Sequence, residues 1–172
     1  MIGRRRREFV GPIEAVEGGW QVNLDVEERH LLVRLMGELR ALLTGPGDNE
    51  LLTRLFPQAY TDDEEKEAEY QRLMREELVA SRLEAIERVE SAIAPERTDL
   101  LDEEETLAFM QSLNAVRIVL GTMLDISDDD PDGDLATHHE GDDGSSGDSP
   151  EHHLYDFLSW LLEWTVRSLS PS

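Results

Sequence analysis

Several stretches of this chain repeat apolar residues at steps of three and four, a period that can be buried only as helix. In the clearest, Leu31, Leu32, Leu35, Met36, Leu39, Leu42 and Leu43 line one face of a 3.6-residue turn. Asp25-Val26-Glu27-Glu28 stands just ahead of it as a capping box, with an acid to accept the amide three residues on and a Glu to reach back. Gly45-Pro46-Gly47 ends this helix, and a short helical turn over 49–56 stops at Pro57. A second box is expected at Asp62–Glu65. From there no Gly or Pro occurs before Pro95, so a helix can run from Asp63 to Ala94 with Tyr70, Leu73, Met74, Leu78, Ile86, Val89 and Ile93 on its apolar face. At about 1.5 Å per residue it would approach 50 Å, long enough to leave room for a kink or a break. Asp102 and Glu105 open another helix, whose stripe is Leu107, Met110, Leu113, Leu120, Met123 and Leu124, with Val116 and Val119 alongside.

The last helix is of a different kind. Ser149 is a hydroxyl N-cap and Pro150 takes the first position. Asp156, Ser159, Glu163, Arg167 and Ser170 form one narrow polar stripe, while Leu154, Tyr155, Phe157, Leu158, Trp160, Leu161, Leu162, Trp164 and Val166 cover the remainder. A helix apolar over most of its circumference is either central to a bundle or faces a partner. Leu154, Phe157, Leu158, Leu161 and Leu162 are expected inward. Tyr155, Trp160 and Trp164 are expected on the flanks, covered by the N-terminal ribbon or by another subunit.

Two segments break the helical pattern. Over residues 4–24, Gly11-Pro12 and Gly18-Gly19 punctuate a run in which Trp20, Val22 and Leu24 alternate with polar residues, the pattern of a β-ribbon. Between 125 and 151 stand eleven acids and no Lys or Arg, close to half of the formal net charge of −23. With four glycines and few apolar residues, 127–149 cannot bury enough surface to offset ordering and is expected as a mobile acidic loop. The reading is a single domain over 1–172: β-ribbon 4–24, helices within 25–124, acidic loop 127–149 and C-terminal helix 150–169. The fold class is all-α, a bundle of four main helices plus one short helix with a small N-terminal β-ribbon.

Charge and composition exclude several functions. With 16 basic against 39 acidic residues the chain is a poor match for nucleic acid, whose binding rests on neutralised phosphates. Arg4 to Arg7 is the only basic cluster and is expected to be covered by acids of the same chain. No apolar run follows it to make a signal peptide, and the greasiest stretch, Leu154 to Leu169, is too short and too interrupted to span a bilayer. The absence of cysteine removes thiol nucleophiles, disulfides and thiolate zinc sites, and fits a cytoplasmic protein.

The chemical motifs are partial. Asp128, Asp130, Asp132 and Gly133 match the first half of a calcium loop, but the twelfth position, where a bidentate Glu belongs, is His139. A solvated acidic loop is the simpler reading. His138-His139 and His152-His153 lack a second fixed ligand set, and the single Glu27-x-x-His30 lacks the second copy a di-iron bundle needs. Neither a nucleophile elbow nor a phosphate loop occurs. Asn114 and Arg117, three residues apart among apolar neighbours, are the most informative polar pair. The simpler expectation is Arg117 paired with an acid of the bundle and Asn114 bonded to backbone. The functional one is an Arg fork in a helical groove, holding a carboxylate of a ligand or of a partner's chain terminus.

Three stretches carry a family likeness: Leu55-Phe56-Pro57-Gln58-Ala59-Tyr60-Thr61-Asp62, the run from Leu113 to Thr122, and Leu154-Tyr155-Asp156-Phe157-Leu158-Ser159-Trp160-Leu161. In order and spacing the chain resembles an actinobacterial domain-of-unknown-function family, number twenty-seventeen of that series. The resemblance implies a helical protein with no assigned activity and a gene neighbourhood often shared with an adaptor of the Clp protease. The functional expectation is a non-enzymatic regulatory or protein-interaction module without cofactor or metal, possessing neither a nucleic-acid nor a membrane partner. Its candidate ligand or partner contacts are Asn114, Arg117, Tyr155, Trp160 and Trp164, with a homodimer or protein partner on the C-terminal helix. The alternative is a small-molecule- or metal-binding enzyme with its site between helices near Arg117.

Overall fold

The computed structural model of the protein describes residues 10–45, 50–55, 62–124 and 149–170. In chain order they form strands β1 (Ile13–Val16) and β2 (Gly19–Val22), helix α1 (Val26–Thr44), a short 3-10 helix (Glu50–Leu55), and helices α2 (Glu64–Ala92), α3 (Glu103–Met123) and α4 (Pro150–Leu169). This is the mostly helical bundle with a small N-terminal ribbon that the sequence pattern predicts. Arg4 to Arg7, the partial calcium loop, His138-His139 and the acidic stretch all fall outside the described residues.

The helix starts follow the caps. The Asp25 carboxylate accepts the Glu28 amide at 2.8 Å and the Glu28 carboxylate accepts the Asp25 amide at 3.1 Å, so both halves of the box are made. Asp102 accepts the Glu105 amide, but Glu105 turns to Arg97 instead of closing its box. At α2 the cap falls on Asp63 and not Asp62, with Lys66 at the third position, so no carboxylate returns. Helix α2 runs unbroken for 29 residues, since no Gly or Pro interrupts it.

The central element is α3. It packs against α2, α4, the 3-10 helix, α1 and β2. Its buried residues, from Thr106 through Phe109, Leu113, Val116 and Leu120 to Gly121, take up most of its circumference. That arrangement corrects the expected stripe. Leu107 and Met123, at the two ends of α3, remain exposed, and Phe109 is fully buried instead. On α2, Leu73 is 58% exposed while Ile86, Val89 and Ile93 are sealed, because burial on this helix concentrates in its C-terminal half.

The ribbon is a two-stranded antiparallel hairpin in which Ile13 faces Val22 and Val16 faces Gly19. Its turn requires glycine, with φ of 90° at Gly18 and 153° at Gly19. Trp20 and Leu101 exchange backbone hydrogen bonds of 2.9 and 2.8 Å, which stitches β2 to the segment before α3. Arg29 completes the join. Its guanidinium donates to the carbonyl oxygens of Leu24, Ala94 and Val22 at 3.2–3.3 Å, with burial holding its pKa below the usual value. One side chain thereby ties ribbon, α1 and the α2–α3 connection.

Helix α4 lies between α3 and β1. These two neighbours take part of its apolar surface: Leu158 and Leu161 are sealed against the core and the ribbon takes the Trp164 flank, while Trp160 and Val166 remain exposed.

Candidate functional site

Helices α3 and α4 run antiparallel in a register that the side chains reveal. Gly121 sits against the Tyr155 ring, where an added Cβ would come within 3.2 Å of it. Further along, Met110 and Asn114 share a groove with Leu162 and Val166. The same register brings Arg117 level with Ser159. On α3, Met110, Asn114, Arg117 and Gly121 follow steps of four, three and four, one face of the helix.

The groove is floored by α3 and walled on one side by Leu78, Ser81 and Arg82 of α2 and on the other by Leu162 and Val166 of α4. It measures ≈ 490 Å³, within the range of small-molecule and peptide-end sites. Its lining combines aliphatic walls with the amides of Asn114 and Gln111, the Ser81 hydroxyl and the Arg82 guanidinium. No carboxylate or imidazole is among these lining residues.

Arg40, Arg88, Arg97 and Arg167 each pair with a glutamate. Among the described residues Arg82 has no such partner: its hydrogen bond there is a long 3.5 Å contact to the Gln111 carbonyl, and desolvation lowers its pKa. Arg117, one turn beyond Asn114, donates from Nη1 to the Tyr155 hydroxyl at 3.2 Å and lies 5.7 Å from the centre of that ring. Its Nε is buried without a hydrogen-bond partner, and so is the Ser159 hydroxyl across the seam. The expected ion pair between Arg117 and a bundle acid is therefore absent among the described residues. No hydrogen bond there engages the Asn114 amide either. A third orphan, the Ser112 hydroxyl, lies two residues before Asn114 and so on a different face of α3.

The five candidate residues thus divide. Asn114, Arg117 and Tyr155 come together along the α3–α4 seam. Trp164 is on the opposite flank, where a Cβ on Gly11 would stand 2.7 Å from its six-membered ring, and Arg167 lies 6.0 Å from the ring centre. Trp20 fixes the ribbon there by donating its indole N–H to the Ser168 carbonyl at 3.1 Å. Trp160 belongs to neither place: it is 38% exposed, with Phe157 at 6.1 Å between ring centres. Sequence reasoning missed Arg82 and Gln111. Arg82 interrupts the four-residue series Met74, Leu78 and Ile86 of α2, and Gln111 stands one turn from Leu107 and Asn114, so each was a polar break in an apolar stripe, and the antiparallel packing of α2 on α3 brings them together near Asn114.

Glu27 and His30 are exposed on α1, and the His152 ring nitrogen Nδ1 lies 2.7 Å from the Ser149 hydroxyl at the start of α4. Among the described residues no three His, Asp or Glu side chains gather as a metal would require, and no helix is long and apolar enough to cross a membrane.

Fold and groove together define a small helical bundle with a cationic, amphipathic cleft between two helices of its sheath. The chain belongs to the family described as a domain of unknown function, DUF2017, whose model matches residues 7–169. No curated protein and no solved structure matches it.

Proposed function

We propose that the protein is a non-enzymatic interaction module whose working surface is the groove between α2 and α4. The observation that carries this reading is the partly buried Arg82 guanidinium, which lines a cleft of a strongly acidic chain with no carboxylate partner among the described residues, while Arg117 on the neighbouring α3–α4 seam is likewise without one. A partly buried cation without a counter-charge costs folding free energy, and fixed charges of this kind are commonly kept for binding. Amides, hydroxyls and guanidinium groups hold a ligand but lack the base that would activate a nucleophile. A regulatory link to proteolysis is the extension suggested by the gene neighbourhood that the family resemblance implies.

The test is co-purification from the native host with three forms of the chain: wild type, Arg82→Glu in the groove, and Arg34→Glu on the exposed face of α1. A discrete partner should accompany wild type and Arg34→Glu and be lost with Arg82→Glu. The same companions on all three forms, or none on any, would contradict the reading.

Self-association through α4 is a second reading, favoured by the partly exposed Trp160 beside Phe157. Sedimentation of wild type and Trp160→Ala tests it. A dimer lost in the variant supports it, and a monomer in both disposes of it.

A further inference from the structure

We infer that the groove is a receptor for a small aliphatic carboxylate, with the acid group on Arg82 and the hydrocarbon body among Leu78, Met110, Leu162 and Val166. This rests on the groove being a working surface, as in the interaction reading above, and names a ligand that would occupy it.

Arg82 lines the groove itself and is half-buried there. Its neighbours three and four residues away on α2 are Leu78, Val79, Ala85 and Ile86, so no acid of its own helix stands where an i,i+4 pair would form. Glu84, two residues on, turns to Arg88 instead. The 3.5 Å contact to the Gln111 carbonyl engages Nη1 alone, and the other N–H groups of Arg82 have no acceptor among the described residues. Desolvation holds its pKa below the usual value with no ion pair to offset the loss of water. A guanidinium in that condition gains from an external carboxylate, which accepts two of its N–H groups in parallel.

The rest of the lining selects the ligand. Helix α2 contributes residues within 78–82, α3 within 110–114 and α4 within 162–166, so the site is one helical turn long on each, about 6 Å. That length suits one short molecule and not a chain passing through, since it spans only about two residues of extended peptide. Leu78, Met110 and Leu162 are half-buried and Val166 is 44% exposed, so all four keep apolar surface that a hydrocarbon body would cover. The acid group is a carboxylate and not a phosphate for two reasons. All three stretches lie inside their helices, where the backbone N–H groups are spent on helix bonds and none is free to cradle a phosphate. A single guanidinium also matches a single negative charge, in a chain whose net charge of −23 opposes a second.

The experiment follows the Arg82 Nε and the Gln111 and Asn114 side-chain signals of the full chain by nitrogen–proton NMR. Hexanoate, hexanol, hexylammonium, acetate and hexyl phosphate are titrated in turn. Hexanoate should shift all three signals saturably and bind tighter than hexanol or hexylammonium by about tenfold or more, as loss of a charge-assisted bidentate pair requires. It should exceed acetate by about tenfold as well, because the added methylenes leave water. Arg82→Gln should erase the preference for hexanoate over hexanol, and Val166→Thr should weaken hexanoate a few-fold while leaving acetate unchanged. Hexanol or hexylammonium binding as tightly as hexanoate, or a preference that survives Arg82→Gln, overturns the role of Arg82. Acetate binding as tightly as hexanoate, or a Val166→Thr protein that binds hexanoate like wild type, overturns the hydrocarbon body. Hexyl phosphate binding tighter than hexanoate overturns the carboxylate and assigns the groove to phosphates. No saturable shift with any probe overturns the proposal, and the co-purification above then decides separately whether the groove serves a protein partner.

Discussion

On one flank of α4, the Trp164 ring presses against Gly11 and the Trp20 indole is satisfied by the Ser168 carbonyl. On the other, the Ser159 hydroxyl and the Arg117 Nε are buried with nothing to bond, beside a groove that α2 does not close. The same helix has therefore been finished on one side and left unfinished on the other. Polar groups that serve folding alone are normally satisfied within the fold, as the three carbonyls around Arg29 illustrate.

The sharpest way to break this contrast is on the finished flank. Trp164→Ala should remove ring packing that the ribbon relies on and cost about 2–3 kcal/mol, somewhat less than a fully buried Trp because Trp164 is only half-buried. Urea unfolding gives the loss, and amide exchange over 13–22 should rise with it. Gly11→Val approaches the same contact from the other side. With no room for a Cβ against Trp164, overpacking should cost roughly 1–3 kcal/mol and loosen the same amides. If both variants unfold like wild type, the ribbon is not fastened where the structure places it.

The unfinished flank should respond in the opposite sense. Ser159→Ala deletes a hydroxyl that has no partner, so its stability should stay within about 0.5 kcal/mol of wild type or rise slightly. A loss above about 1 kcal/mol in urea unfolding would mean that the hydroxyl is bonded and the flank is not idle.

What could be read in advance follows from what is local. Caps at Asp25, Asp102 and Ser149, the stripe of α1 and the turn at Gly18 depend on neighbours a few residues away, and each is where its residues predict. The span of α2 was legible from the absence of Gly and Pro, but its continuity was not, and the structure shows that it runs unbroken. The stripe of α3 was less so. A helix enclosed by several elements has no single wet face, and Phe109 went unnoticed among Leu and Met candidates. Asn114, Arg117 and Tyr155 stood out as polar or amphipathic groups in apolar runs, but their meeting depends on the antiparallel register of α3 and α4. Arg82 carried a signal that was passed over, a charge between Leu78 and Ile86 on the apolar stripe of α2, but its place in the groove depends on tertiary packing.

The central claim is that Arg117 is retained for binding and Arg29 for folding, although both are guanidinium groups partly withdrawn from water. Urea unfolding of Arg29→Met and Arg117→Met, measured side by side, tests it. Arg29→Met strands three carbonyls and should lose about 1–3 kcal/mol. Arg117→Met replaces an uncompensated charge with an apolar chain of similar reach, and should match wild type or exceed it. An Arg117→Met protein as damaged as Arg29→Met would contradict the account, because it would make Arg117 a structural residue and the groove a by-product of packing.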